Sequence, residues 1–414
     1  MFWYRRYIFI ASSLRQLADA FISKPLGIKS SGCQMKWLAL FAVIFAAGCR
    51  QSYEPAIKPE QTHFLVVEGF INANGATNIT LSRTAHLKDS SEVITEQGAA
   101  ITIMGEDNST IPLSENIAGH YQSDSVSLNN NQKYRLLIKT AAGKDYLSDY
   151  VAVKQTPPID SVSWDNQNDG AHIYVNSHDA QNNTLYYKWD YAETWEIVSH
   201  YDAALKYFPG EAPDGSEGYV RARDEDEMKK MKYCWQNTAS NNIHLGSSVS
   251  LTGDVISLEP IVYIPRGSEK LSVRYSIIVK QYTLDRQAYD FYQLMKKNTE
   301  SLGSVFDVQP SDITGNIHCT SNDKEKVIGY ITVSTEQKKR IFITNEQVMG
   351  AQWKYNLQCE ERYVVNKSDS LVIFFRGNEY IPYSEKGLAE GYFSVTENCA
   401  DCRTRGTNDK PDFW

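Results

Sequence analysis

A mainly β fold is expected from three features of this 414-residue sequence. Short runs that alternate apolar and polar residues recur roughly every ten residues from Phe64 onward. Gly, Asn, Asp and Pro clusters separate them, and a single stretch, 285–302, switches to the helical period. These features predict an N-terminal antiparallel β-sandwich over 63–154, then a larger β-rich domain over 155–414 with one packed α-helix and a disulfide-stabilised tail.

Ahead of the strands, Met35 to Cys49 reads MKWLALFAVIFAAGC. A basic start, a short apolar run from Trp37 to Phe45 and the small residues Ala46, Ala47 and Gly48 make the grammar of a secretory signal. Small residues directly before a cysteine form a lipobox, where cleavage leaves Cys49 first and its sulfur carries lipid. A membrane span needs about 20 apolar residues, and this run is well short of that. Residues 1–48 are therefore expected to be removed. Met35 is expected to be the true start, the aromatic and basic FWYRRYIFI belonging to an upstream choice of initiator. Residues 49–62, with Pro55 and Pro59, read as a lipidated tether.

Residues 1–48 hold six of the 42 Lys and Arg and one of the 50 Asp and Glu, leaving 36 against 49. An acidic surface repels phosphate backbones, so nucleic acid is excluded as a partner class. No later apolar run approaches membrane length, so the lipid is the expected anchor.

From Phe64 to Val153 the runs FLVVEGFI, TNITLSRTA, AAITIMG, GHYQSDSV, KYRLLIKTA and DYLSDYVAV alternate between turn signals such as NANG and LNNNQ. Six strands at this spacing argue for a small sandwich. The order of features resembles the transthyretin-like or carboxypeptidase-regulatory sandwiches, of transthyretin/Ig-like architecture, which are binding or spacer modules. Gln155 to Asp160, QTPPID, is a stiff polyproline-like hinge.

Beyond it, SVSWD, AHIYVNSH and LYYKWDYAETWEI open a second, fibronectin-like sandwich. In the turn between them, Asp165, Gln167, Asp169 and Gly170 match the first positions of a calcium loop. Asn176 stands where such a loop needs a bidentate glutamate, which favours a hairpin turn. Tyr187, Trp189 and Tyr191 share one face of a strand, with Trp195 beyond. Such a row is either core or, if exposed, a ligand-binding platform. Residues 208–232 read as a surface insertion, whose acidic cluster Asp224 to Glu227 is a solvated loop or a helix start. SVRYSIIVKQYTL is the most apolar strand of the second half. The helix after it gathers Ala288, Phe291, Tyr292, Leu294 and Met295 on one face, with Asp285 as N-cap and Gly303 as its close. LVIFF, YIPYS and GYFSV are read as tail strands.

Five cysteines follow Cys49: Cys234, Cys319, Cys359, Cys399 and Cys402. An exported chain keeps disulfides, and an odd count leaves one thiol over. No second CxxC completes a zinc site around Cys399 and Cys402, so a disulfide from one of them to Cys359 is expected, with the other pairing open. No GxSxG elbow, HExxH, Walker loop or GxGxxG is present. Neither catalytic residues, a metal site nor a cofactor is expected.

The lipobox, LVVEGFI with ITLSRT, YSIIVKQYTL followed by AYDFYQLMKKNTESLGSVFDVQPSDITGNI, then VIGYITVS and CADCRTRGTNDKPDFW together resemble the Bacteroidota lipoproteins of domain-of-unknown-function family 4249. The resemblance covers nearly all of Cys49 to Trp414. It implies a lipoprotein encoded beside a SusC-like TonB-dependent outer-membrane transporter and serving as its non-catalytic accessory subunit in substrate capture or gating. It implies a lipid anchor in the outer membrane facing the cell surface, with the periplasmic face left open. Two other readings stay open: a surface lipoprotein that binds or hydrolyses glycans or peptides, and a structural or adhesive module.

Overall fold

The computed structural model describes residues 63–85, 93–211, 217–300, 315–348, 353–387 and 390–414. The expected signal, Cys49, the tether and Gly303 lie outside the described residues. The fold is mainly β, as the alternation predicts.

In Lys133–Lys139 the side chains of Tyr134, Leu136 and Ile138 turn inward, and the residues between them are half-buried or exposed. Ala100–Gly105 pairs antiparallel with it and buries Ile101 and Ile103 in the same way. From one edge the ladder runs Ile317–Cys319, Asp145–Ser148, Lys133–Lys139, Ala100–Gly105, Thr110–Ile117, His120–Gln122, Asn78–Arg83, Leu65–Asn72 and Val327–Ile328. Strands from both ends of this path feed one core, with Leu65, Ile79 and Leu81 from one end and Ile138, Tyr146 and Ile317 from the other.

Residues 63–154 do not complete this sandwich alone. Ile317–Cys319 adds antiparallel to Asp145–Ser148, while Val327–Ile328 and Val333–Ser334 run parallel to Leu65–Asn72. The expected boundary at 154/155 is thus crossed by a segment returning from the second half. Its close approach needs Gly329, with φ +154°, because a Cβ there would stand 2.4 Å from the Val67 carbonyl oxygen. The QTPPID hinge is pinned by the same segment: Thr156 N donates to Thr335 Oγ1 at 2.8 Å, and Thr156 Oγ1 donates to Thr335 O at 2.5 Å.

The second sandwich sets three strands, Ile159–Asn166, Gly170–His178 and Val255–Pro265, against a larger sheet. That sheet runs Tyr233–Ala239, Tyr186–Val198, Arg274–Thr283 and Gln337–Thr344, with His244–Ser247 also paired to Tyr186–Val198. Tyr187 and Trp189 are 0% exposed and Trp195 is 7% exposed, so the row that could have been a platform is interior. The rings of Tyr187 and Trp189 stack at 5.7 Å. Truncating an aromatic of this size in a core costs about 3–5 kcal/mol, enough to explain why the strand turns this face inward. The calcium-like turn is the hairpin between Ile159–Asn166 and Gly170–His178, closed by Gln167 N donating to Gly170 O at 2.8 Å.

Arg286–Glu300 is helical, with Asp285 Oδ1 accepting from Ala288 N at 2.7 Å as the predicted cap. Helices beyond this expected one are present. Glu225–Lys232 starts at Asp224, whose carboxylate accepts from Asp226 N and Glu227 N. Its acids occupy the first turn and Lys229, Lys230 and Lys232 the last, so the acidic cluster complements the helix dipole. Asn345–Val348 and Glu397–Ala400 are single turns.

LVIFF is not a strand: Ser368–Phe375 is a helix that buries Leu371 and Phe375, four residues apart, and leaves Ile373 outside. A short continuous apolar run fits either period, and the partner core decides between them. That core lies between the helix, the hairpin of Leu205–Glu211 with Glu217–Ala222, and a sheet ordered Glu361–Val365, Gly391–Thr396, Tyr380–Lys386. Two disulfides hold the tail, Cys359 to Cys399 and Cys234 to Cys402, while Cys319 is free and buried. Among the described residues no helix is long and apolar enough to cross a membrane.

Candidate functional site

Strand periodicity that hides one face of Tyr186–Val198 presents the other. Tyr187 and Trp189 enter the core, so Lys188 and Asp190 face the opposite way. In the neighbouring strand Arg274–Thr283, Val279 and Gln281 enter the core while Lys280 and Tyr282 face the same side as Lys188. Helix Arg286–Glu300 adds Phe291, Tyr292 and Met295. The first strand and the return segment close the other side with Phe70 and Tyr330. Together they line a cleft of about 470 Å³, within the size range of small-molecule sites.

The charges in the cleft are ordered. Lys188 Nζ donates to both carboxylate oxygens of Asp190 at 2.7 and 2.8 Å. The same ammonium lies 5.2 Å from the Tyr282 ring centre and 5.6 Å from that of Tyr292, within cation–π range. Phe70 meets Tyr282 edge-on at 4.5 Å, and Phe291 touches both Tyr292 and Tyr330 at 5.4 Å. The Tyr282 hydroxyl donates to Glu336 Oε1 at 3.1 Å.

Burial, and then the negative charge of Asp190, pushes the Tyr282 phenol far up. Burial does the same to Tyr292, again with Asp190 adding to it. Both phenols therefore stay protonated and able to donate near neutral pH. Beside the cleft, burial lowers the pKa of His244, whose ring lies 5.5 Å from that of Tyr191. The arrangement is that of a binding box: aromatic walls, a fixed ion pair, phenol donors, and Glu68 and Lys280 also on the lining. Both oxygens of Asp190 are engaged by Lys188, which leaves that carboxylate poorly placed as a general base.

Of the row Tyr187, Trp189, Tyr191 and Trp195, the structure brings Tyr191 to the cleft and buries the others. Sequence reasoning missed Lys188, Asp190, Tyr282 and Tyr292. The signal for the first two was their interleaving with core aromatics, since the residues between buried ones on a strand must face something else. Cys399 and Cys402 are bonded to different partners, so CADC is not a redox pair. Among the described residues no group of three or more His, Cys, Asp or Glu gathers to hold a metal.

Several solved structures show local likeness. A chitinase, ChiA74, from Bacillus thuringiensis is 12% identical with a TM-score of 0.15, over 50% of this chain and 29% of that one. A structure of manganese lipoxygenase of Gaeumannomyces graminis with partial zonadhesin of Komagataella pastoris is 9% identical with a TM-score of 0.12, over 56% and 91%. The BSP domain of a biofilm associated protein is 8% identical with a TM-score of 0.12, over 78% and 68%. Scores this low carry no argument about fold or activity. The chain spans 29% of the chitinase's length. No curated protein matches it. The family model described as Domain of unknown function (DUF4249) matches residues 50–340, a span that holds every residue lining the cleft, and the chain belongs to that family.

Proposed function

We propose that the protein is a lipid-anchored, non-catalytic capture subunit of an outer-membrane nutrient transporter in a member of the Bacteroidota. In this reading Cys49 carries the lipid, the cleft beside Lys188 and Asp190 receives a small ligand, and a SusC-like TonB-dependent barrel takes that ligand onward. The observation that carries the reading is the cleft itself, where an ion pair is boxed between Tyr282 and Tyr292. The lipobox supports the anchor. Val249, Leu251, Val255 and Leu258, each at least half exposed along and before the edge strand Val255–Pro265, support a protein partner, since exposed apolar side chains in one stretch mark interaction sites.

An affinity pull-down from solubilised native membranes, with mass spectrometry of what accompanies the protein, tests this directly. A stoichiometric outer-membrane barrel with wild type, lost with Cys49→Ala, is the expected result. Recovery of the lipoprotein alone in mild detergent overturns the transporter reading.

A further inference from the structure

The sheet formed by Glu361–Val365, Gly391–Thr396 and Tyr380–Lys386 has two unlike faces. One packs Val364, Tyr380 and Tyr392 on Leu371 and Phe375 of the preceding helix. On the other, Val395 and Ile381 are buried at one end, while Tyr363 and Phe393 stay 41% and 36% exposed at the other. Four rings run in contact from the half-buried Tyr201 and Tyr383, packed beside Val395 and Ile381, out to that open end. Tyr201 and Tyr383 lie 4.8 Å apart, Tyr383 and Phe393 6.5 Å, and Phe393 and Tyr363 5.6 Å.

Two features set this row apart from aromatics that merely fail to be covered. Gly391 lies under Tyr363: a Cβ there would stand 2.5 Å from the Val364 carbonyl oxygen, 2.6 Å from the Tyr363 hydroxyl oxygen and 2.7 Å from its Cζ. The glycine lets the two strands pair closely with this ring lying down across them. The Cys359–Cys399 disulfide joins the approach to the Glu361–Val365 strand with the turn after Gly391–Thr396, so the two strands carrying Tyr363 and Phe393 are clamped together. The row is preformed, and a ligand does not have to order it.

Polar groups border the rings. The Glu361 carboxylate accepts from the Tyr201 hydroxyl, and from the Tyr383 hydroxyl at 3.1 Å. Lys386 Nζ sits 4.9 Å from the Tyr363 ring centre. The charges hydrogen-bonded to or stacked on the row are thus one acid and one base, a balanced border that favours neither anionic lipid nor a polyanion. A neutral polyhydroxylated chain fits it. The apolar C–H faces of sugar rings stack on aromatic rings, while their hydroxyls reach sideways to a carboxylate, phenols and an ammonium.

We propose that Tyr363, Phe393, Tyr383 and Tyr201, bordered by Glu361 and Lys386, form a glycan-binding platform separate from the cleft. Apart from Tyr201, it lies on strands beyond residue 340, outside the span that the family model matches. It stands whether or not a transporter partners the protein.

The test is affinity electrophoresis of the full-length protein in a sugar-free non-ionic detergent, on native gels cast with soluble starch, hydroxyethylcellulose, xylan or galactomannan. At least one polymer should retard the wild type. Tyr363→Ala and Phe393→Ala should each weaken that retardation about ten-fold. Phe393→Trp should retain it, and Ile117→Ser, an exposed position on the first sandwich, should leave it unchanged. Far-ultraviolet circular dichroism of each variant reports folding. No retardation of wild type by any of the four polymers overturns the proposal. So does equal retardation of a folded Tyr363→Ala/Phe393→Ala variant, or binding to phosphatidylglycerol vesicles that the same two substitutions abolish.

Discussion

The amide oxygen of Gln281 accepts a hydrogen bond from the Trp189 indole nitrogen at 2.8 Å, inside the second sandwich. The amide nitrogen of the same fully buried side chain donates to the Pro157 carbonyl oxygen at 2.8 Å and to Ser177 Oγ at 2.9 Å. One glutamine therefore joins the two sheets and the hinge. Gln281→Leu leaves an indole N–H and a carbonyl oxygen unpaired in the interior, where each costs about 1–3 kcal/mol. A loss of about 3 kcal/mol is expected, read as a lower urea midpoint with an unchanged slope.

Acid should release the return segment first. Burial alone would push the Glu325 carboxyl up, but hydrogen bonds from Lys144 and Tyr146 and the nearby Arg83 charge outweigh it and hold the group below its ordinary 4.5. A carboxylate depressed in the folded state stabilises fully above its unfolded pKa, and that stability is lost as pH falls through the folded value. Melting temperature should therefore drop in wild type as pH goes below about 4.5. Glu325→Gln should cost about 2 kcal/mol at pH 7, because bonds to a charged group are lost, and should flatten this acid limb.

The two disulfides should not weigh equally. Cys234 and Cys402 are 168 residues apart in sequence, and Cys359 and Cys399 are 40 apart. Chain-entropy reasoning gives about 5 and about 4 kcal/mol, with measured values often lower. Calorimetry of Cys402→Ser with Cys234→Ser should show the larger fall in melting temperature, and the Cys359/Cys399 double serine variant the smaller.

Phe291 is 6% exposed and touches Tyr292 and Tyr330, so it ties the helix to the return segment across the cleft. Phe291→Ala should cost about 3–4 kcal/mol. Hydrogen exchange should rise in Arg286–Glu300 and around Tyr330 while the core of Lys133–Lys139 keeps its protection.

Cys319 is 3% exposed, with its sulfur 3.3 Å from Ser321 Oγ. In a chain lacking residues 1–49, a thiol reagent should find almost no reactivity in the native state. One equivalent should react after denaturation without reductant, since burial and not pairing protects this thiol.

How much of this was legible from residues depends on range. Lys133–Lys139 and Ala100–Gly105 announce themselves because alternation is local, and Arg286–Glu300 does so through Asp285 and a repeating apolar face. Val327–Ile328 and Val333–Ser334 are two-residue strands whose partner lies some 260 positions earlier. No periodicity marks such pairing, and Gly329 alone hints at a close approach. The helix Ser368–Phe375 was hidden for another reason, as its apolar run is too short to display a period. The cleft was half legible: core aromatics were visible, but Lys188 and Asp190 gained meaning only once Tyr282 and Tyr292 were brought across from other elements.

The return of residues 317–334 to the first sandwich also orders events in time. If the chain emerges N-terminus first, the sandwich that leads the way lacks two neighbours of its first strand until about 260 more residues have followed. Until then Leu65–Asn72 presents an open edge, the hazard that makes non-local β pairing slow and aggregation-exposed. Survival of this chain during its synthesis is thus set by how quickly its second half arrives, and a pause introduced after residue 300 should be more damaging than one near the end.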